Sequence, residues 1–285
     1  MSTDEPNPSV LDVDEPNSSA LAADLDVDGV LLDIDGVLTV SWQPIDGAVT
    51  ALGELRRMDV PLRFATNTTT RTRADVAALL GAAGFAVDVS EILTAPAATA
   101  AYLRRVHPDA RCFLLNSGDL SGDLTGIEWV DDGPADVVVI GGAGLNFTHA
   151  ELNRAFRLLL DGAAFVAMHR NMYWRTSDGL ELDTGAYVRA LEEAAGVSPV
   201  VLGKPSVDFF ESAVAELRCT PDRVVMVGDD IDNDVLGAQR AGLHGVLVRT
   251  GKYRPEVEEA ARDAGNPPEV VIDGLAALPG LLSLR

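Results

Sequence analysis

The segment Gly29–Leu38, GVLLDIDGVL, joins an unbroken apolar run to two carboxylates placed one residue apart. Val30, Leu31 and Leu32 show none of the in–out alternation of a half-buried strand. They read as a strand buried on both faces, as in a parallel sheet covered by helices. Carboxylates at the end of such a strand are expensive to bury unless something compensates them. In open parallel sheets the carboxyl ends of the strands form the ligand crevice, which is where Asp33 and Asp35 would stand. Gly36 then permits a tight turn away. Taken alone, the pair also fits an ordinary acidic turn.

The rest of the chain supplies the partners of such a strand. Ala48–Met58 has helical spacing, residues 61–67 read as a second short strand, and Arg73–Ala83 as a second helix ended by Gly84. Strand–helix alternation implies parallel pairing through right-handed crossovers. The grammar returns late, with Val200–Leu202 before Gly203-Lys204-Pro205, a helix from Ser206 to Leu217, and a buried strand Arg223–Asp229. A helix through Ala241, a strand Gly245–Val248, an edge strand Val270–Ile272 and a closing helix complete it. The stretch from Thr94 to Gly196 is far too long for one connection and carries strands and helices of its own, among them Asp136–Ile140, His149–Leu160 and Tyr187–Ala195. The expected fold is α/β: a doubly wound, Rossmann-like parallel sheet with an inserted α/β domain. The expected division is an acidic tail over 1–28, a core in two parts over 29–95 and 197–285, and an insertion over 96–196.

Charge narrows the partners. The formal net charge is -22, and no Lys or Arg precedes Arg56. Such a surface cannot neutralise a phosphate backbone or an anionic lipid face, so nucleic acid and membrane are not expected partners. The first 28 residues hold eight acids, are rich in Pro, Ser and Asn, and read as a disordered tail. No apolar run reaches the roughly 18 residues of a membrane span. The acidic N-terminus does not resemble a signal peptide. Cys112 and Cys219 are two lone cysteines without a disulfide or metal motif, and a cytoplasmic location is expected.

Three further strand ends carry chemistry. Gly228-Asp229-Asp230-Ile231-Asp232-Asn233-Asp234 follows a second buried strand. A helix N-terminus accounts for Asp230 and Asp232, where negative charge is favoured, but less well for Asp229 at the strand mouth. Two acidic mouths in one sheet suggest a shared hard cation with oxygen ligands, most simply Mg²⁺. Asp24, Asp26 and Asp28 before Gly29 mimic the start of a calcium loop, yet the strand-like sequence beyond is wrong for one. Thr66-Asn67 before a helix suits a phosphate, or only a helix cap. Lys204, one of two lysines, reads at its strand mouth as a charge-balancing phosphate ligand.

In this order, Asp-x-Asp, Thr, Lys and Asp resemble the four motifs of the haloacid dehalogenase (HAD) superfamily, with the insertion at the second of its two cap sites. Thr66-Asn67-Thr68-Thr69, the stretch Ala155–Gly162, Gly203-Lys204-Pro205 and Gly251-Lys252-Tyr253-Arg254 are similar to the NagD-like class IIA group. Within it, they are similar to the subfamily of HAD-like hydrolase domain-containing protein 2 and the phospholysine/phosphohistidine/inorganic pyrophosphate phosphatase. The resemblance implies a Mg²⁺-dependent phosphatase of small phosphomonoesters with a NagD-like cap. Asp33 would be the nucleophile, forming an aspartyl-phosphate, and Asp35 the general acid and base. Asp33, the Asp35 carbonyl and Asp229 would hold the metal with Asp234 in support, and Thr66, Asn67 and Lys204 would bind phosphate. The two animal relatives carry Ser where this chain has Asp35, which weakens transfer of their substrates. Phosphoramidate or pyrophosphate hydrolysis is the second reading, and a phospho-accepting signalling domain a third. In the insertion, His169, Arg170, Asn171, Tyr173, Trp174 and Arg175 form a polar-aromatic group that either contacts the leaving group or builds a structural hairpin. Gly141–Gly144 lacks the spacing of a dinucleotide fingerprint and reads as a turn. A small phosphorylated substrate is the expected partner, and homodimerisation stays open.

Overall fold

A computed structural model describes residues 25–176 and 179–283. Its first sheet has six strands in the order Val270–Ile272, His244–Val248, Val224–Gly228, Gly29–Leu32, Leu62–Thr66, Ile92–Thr94. All five pairings are parallel, with Val224 opposite Gly29 and Val30 opposite Leu62. The chain winds outward from Gly29–Leu32 in one direction, then resumes beside it at Val224–Gly228 and winds outward in the other. That doubly wound order has its switch point between these two strands, above their carboxyl ends.

The missing alternation in Val30-Leu31-Leu32 has a direct cause. Successive side chains point to opposite faces, and both faces are covered. Val30, Leu32, Phe64, Val225 and Val227 pack with the helices Ala48–Arg57 and Arg73–Ala82. Leu31, Ala65, Val224 and Met226 pack with Phe209, Phe210 and Ala213 of the helix Val207–Leu217.

A second parallel sheet has five strands in the order Val200–Val201, Ala164–Ala167, Val137–Ile140, Arg111–Leu115, Glu128–Trp129. The helices His149–Leu160 and Thr184–Ala195 cover one face. Ala95, Ala100 and Leu103 of the helix Ala95–Val106 pack on the other. This sheet also reverses its winding, between Arg111–Leu115 and Val137–Ile140, so Asn116 and Gly141 stand at its own switch point.

Several expectations change. Residues 1–24 of the expected tail lie outside the described residues. Its last four are part of the fold: Leu25–Asp26 pairs in parallel with Leu282–Ser283, Val27 is buried, and Arg223 forms ion pairs with Asp26 and Asp28. An acidic composition masked a short strand whose charges meet one arginine, and those pairings leave Asp26 and Asp28 no part in a calcium loop. Val200–Val201 was expected in the first sheet but pairs with Ala164–Ala167 in the second. Its apolar pattern marks a buried strand without saying which sheet takes it. The closing helix is a 3₁₀ segment, Leu275–Leu281, around Pro279. A helix Pro255–Asp263 and the hairpin of Thr39–Val40 with Gln43–Pro44 were not anticipated. No helix among the described residues is long and apolar enough to cross a membrane.

Leu32 is fully buried in the central strand, whereas Leu145 is 98% exposed. Leu32→Ala is expected to lower the unfolding free energy by about 2–5 kcal/mol in urea denaturation, and Leu145→Ala to leave it within about 0.5 kcal/mol.

Candidate active site

The first sheet's switch point gathers three buried acids. Asp33 directly follows the strand Gly29–Leu32, and its N–H donates to the Val227 carbonyl at 2.9 Å, which holds the chain in register past the sheet edge. Asp229 directly follows Val224–Gly228. Asp234 reaches back from a π-helical turn, Ile231–Val235, a geometry enriched at functional sites. Asp230 caps that turn, accepting hydrogen bonds from the Asn233 N–H at 3.1 Å and the Asn233 amide at 2.8 Å. The helix-start reading of Asp230 therefore holds. Asp33, Asp229 and Asp234 are all at most 5% exposed. One carboxylate oxygen from each lies within 4.8 Å of the other two.

Lys204 offsets much of this charge. Its buried Nζ lies 2.8 Å from Asp33 Oδ1, 2.5 Å from Asp234 Oδ1 and 3.0 Å from the Ala65 carbonyl. Burial would lower its pKa, but the charges of Asp234 and Asp33 outweigh it and raise it. Two of these contacts, to Asp33 and the Ala65 carbonyl, are hydrogen bonds, and the one to Asp234 Oδ1 is an ion pair. Asn67 lines the pocket, with its side chain engaged elsewhere. Its amide grips the Lys204 backbone, donating to the carbonyl at 2.8 Å and accepting from the N–H at 2.9 Å. Thr66 is buried at its strand end, with its Oγ1 2.9 Å from the Thr68 hydroxyl.

Asp229 is only partly compensated. Its Oδ2 accepts from the Lys252 N–H at 2.6 Å, while the buried Oδ1 has no hydrogen-bond partner. Burial, then the charge of Asp33, pushes its carboxyl well above the usual range. Two glycines make room for it. A Cβ on Gly36 would lie 1.9 Å from Asp229 Oδ2, and one on Gly251 would lie 2.0 Å from the same atom. Both adopt positive φ, 93° and 60°. Asp35 opens onto the cavity. The protein around it, then the charge of Asp33, raises its pKa. Its carbonyl accepts no hydrogen bond among the described residues, because Gly36 and Thr39 pair around it.

Asp33, Asp35, Thr66, Asn67, Lys204 and Asp234 line a cavity of about 610 Å³ whose other wall comes from the second sheet. There the Gly141–Gly144 turn is shaped by Asn116 Oδ1, which accepts from the Gly142 N–H at 2.6 Å, and by Thr184 Oγ1, which donates to the Gly141 carbonyl at 2.5 Å. His169 is buried and links the two walls through Thr69 Oγ1 at 3.3 Å. Its Nδ1 accepts from the Asn171 N–H at 3.3 Å, and burial lowers its pKa, so the ring is neutral.

Of the polar-aromatic group expected to meet substrate, His169 and Asn171 line the cavity. Arg170 turns away to Glu192 at 2.5 Å, and Tyr173 is 52% exposed on a hairpin outside the cavity. The Trp174 side chain lies outside the described residues. Sequence reasoning missed Lys252, Trp42, Arg71 and Asp183, all in the lining. For Lys252 a signal existed, since both lysines of the chain line this one cavity.

Residues 26–129 match the profile of the haloacid dehalogenase-like hydrolases, and residues 201–278 match a second, HAD-hydrolase-like profile. A phospholysine phosphohistidine inorganic pyrophosphate phosphatase of Xenopus laevis is 40% identical over 255 residues, 87% of this chain and 90% of the relative. Among solved structures, the p-nitrophenyl phosphatase of Archaeoglobus fulgidus is similar with a TM-score of 0.83 and 31% identity, covering 89% of this chain and 98% of its own. NagD of E. coli has a TM-score of 0.78 at 26% identity, covering 88% and 97%. A glycerol phosphate phosphatase of Mycobacterium tuberculosis, solved with magnesium, has 0.79 at 29%, covering 90% and 78%.

The glycine contacts make a sharp contrast. Gly36→Ala is expected to destabilise the fold by at least about 2 kcal/mol, because it adds positive-φ strain to a clash with Asp229. Gly53 lies exposed in a helix with open space beside it, so Gly53→Ala should stabilise by up to about 1 kcal/mol. Thermal and urea melts of the two variants check this.

Proposed function

The chain belongs to the haloacid dehalogenase-like hydrolases and is a phosphatase of that family, and on that premise we propose that it hydrolyses small phosphomonoesters with Mg²⁺ by way of a phosphoryl group carried on Asp33. The observation that carries the reading is the buried contact of Lys204 Nζ with Asp33 Oδ1 at 2.8 Å, at the mouth of the central strand. It keeps one oxygen of Asp33 fixed beside a buried positive charge and leaves the carboxylate placed to act as a nucleophile. A cavity of about 610 Å³ suits a small molecule rather than a polymer.

The donor set fits a divalent cation. Three buried carboxylates stand within 4.8 Å, Asp229 Oδ1 is unpartnered, and Lys204 spans only Asp33 and Asp234. Asp33, Asp229 and the Asp35 carbonyl would hold Mg²⁺, with Asp234 bracing Lys204. When bound, the cation supplies charge neutralisation at the phosphoryl oxygens. Magnesium in the M. tuberculosis relative supports the assignment.

The chain's own residues then divide the work. Asp33 attacks phosphorus, and its new O–P bond forms as the bond to the leaving oxygen breaks. Asp35, with its raised pKa, gives its proton to that oxygen. It next accepts a proton from the water that attacks phosphorus, which frees inorganic phosphate and regenerates Asp33. Thr66 and Lys204 stabilise the equatorial oxygens, and Asn67 holds Lys204 in place. With Asp35 protonated, the three remaining carboxylates of the cluster are balanced by Lys204 and a divalent ion, so a phosphate dianion can enter despite a chain charge of -22. The Xenopus relative's name motivates a second reading, hydrolysis of phosphoramidates or pyrophosphate.

Phosphate release from p-nitrophenyl phosphate should require Mg²⁺, vanish in EDTA, and fall below a thousandth of wild type in Asp33→Asn. Turnover in EDTA would overturn the reading, and a long-lived phosphoprotein would favour the signalling class. Asp35→Asn should slow alkyl phosphates at least about tenfold more than p-nitrophenyl phosphate, whose good leaving group needs little protonation. A panel of sugar phosphates, nucleotides, pyrophosphate and phosphohistidine, assayed by phosphate release, separates the two substrate classes.

A further inference from the structure

We infer that the mouth of this cavity holds a second negative charge on the substrate, with the Arg71 guanidinium as its ligand and the Trp42 ring as the plate that fixes Arg71. The inference rests on the phosphatase reading above and names its substrate class: phosphomonoesters whose leaving alcohol carries an oxyanion, either a carboxylate or a further phosphate.

Trp42 and Arg71 come from separate loops and meet at the cavity that holds Asp33 and Asp35. The Arg71 guanidinium carbon lies 5.7 Å from the Trp42 ring centroid, and both residues line the cavity. The Trp42 backbone is unusual. Val40 pairs with Gln43, so Ser41 and Trp42 form a two-residue hairpin turn, with φ of 50° and 64°. Such a turn favours Asn-Gly, and two consecutive side chains in the left-handed region carry strain. Nothing in the turn itself calls for a tryptophan there. The ring has a use where it stands, stacked with Arg71 at the cavity.

The hairpin also ties this pair to the chemistry. Asp35 bridges Thr39 at the base of the hairpin, and Asp35, Ser41 and Trp42 line the same cavity. Trp42 is therefore at the tip of the hairpin whose base joins the acid facing the leaving oxygen. A group attached to that oxygen reaches Trp42 and Arg71 as it leaves the phosphoryl pocket.

The other charges are already engaged. Lys204 is held inside the cluster by Asp33, Asp234 and the Ala65 carbonyl, and the Lys252 ammonium stands in the field of the buried acids Asp229 and Asp33. Asp230 and Asp183 cap local backbone, accepting from the Asn233 and Thr184 N–H groups at 3.1 and 2.7 Å. His169 is held neutral by burial. Arg71 has no ion pair among the described residues, in a chain with 44 acids to 22 bases. Asp75, the acid whose charge it influences, is bonded instead to Thr72 at 2.7 Å. Arg71 is thus the cation on the Trp42 side of this lining, without an ion pair among the described residues and open to an incoming anion.

The test compares four substrates of similar size: phosphoglycolate, ethanediol bisphosphate, ethyl phosphate and phosphoethanolamine. Phosphate release is measured with Mg²⁺ for wild type, Arg71→Gln, Arg71→Lys and Trp42→Leu. Wild type should favour the two anionic leaving groups over ethyl phosphate at least tenfold in kcat/KM, with phosphoethanolamine last. The first two arms separate a carboxylate from a second phosphate as the preferred anion. Arg71→Gln should shrink that preference about tenfold, through KM rather than kcat, as expected for loss of a charged hydrogen bond. Arg71→Lys should restore part of it, and Trp42→Leu should weaken it. Equal handling of anionic and neutral substrates by wild type overturns the inference. So does an Arg71→Gln variant that slows all four alike, which marks a structural role. If no substrate is hydrolysed, the phosphatase reading fails on its own. Calorimetric binding of phosphoglycolate against ethyl phosphate to wild type and Arg71→Gln then decides the Arg71 site: at least tenfold tighter phosphoglycolate binding, lost in Arg71→Gln, supports it, and equal binding overturns it.

Discussion

Everything at this site depends on one buried ammonium between two buried carboxylates. Lys204 is 2% exposed and bridges Asp33 and Asp234. Desolvating that many charges is tolerable only with close geometry and further hydrogen bonds. The chain provides both. The Ala65 carbonyl accepts a further hydrogen bond from the ammonium, and Asn67 grips the lysine backbone from both sides. The bridge also explains why Asp229 stands apart. With the lysine committed to Asp33 and Asp234, Asp229 keeps one oxygen unpartnered, which is the side from which a cation completes the set.

The two sheets use the same device from opposite sides. Each is wholly parallel, each reverses its winding once, and each presents the carboxyl ends at its switch point to the shared cavity. The first sheet contributes carboxylates there, which need neutralising and can do chemistry. The second contributes the glycine turn, a neutral His169 and Asn171, with Asp183 as its one acid in the lining, capping local backbone. The division suits a hydrolase in which one layer handles the phosphoryl group and the other bounds the leaving group.

The chemistry at the strand ends was legible because it breaks a strong pattern. Asp33 and Asp229 each interrupt an apolar run, and Lys204 is rare in a chain with almost no lysine. What was hidden follows from weaker physics. Val200–Val201 looks like any buried strand, and pattern alone does not say which sheet receives it. Arg170 and Asn171 lie on an irregular segment without a period, so nothing in the sequence tells which of them faces inward. Trp42 and Arg71 sit on a turn and a loop, where local sequence reads as surface. Asp26 and Asp28 were absorbed into an acidic composition, although a single arginine far along the chain claims both.

The route back from the second sheet has a mechanical consequence. Val201 is the last residue of that sheet's edge strand, and Lys204 follows after only Leu202 and Gly203. Three residues extend at most about 10 Å, so this tether has almost no slack. The other crossing is as abrupt, since the strand Ile92–Thr94 runs straight into the helix that starts at Ala95. A displacement of the outer layer would therefore reach the lysine's own backbone within a few residues. Asn67, bonded to both the N–H and the carbonyl of that residue, ties it to the first sheet against such a pull.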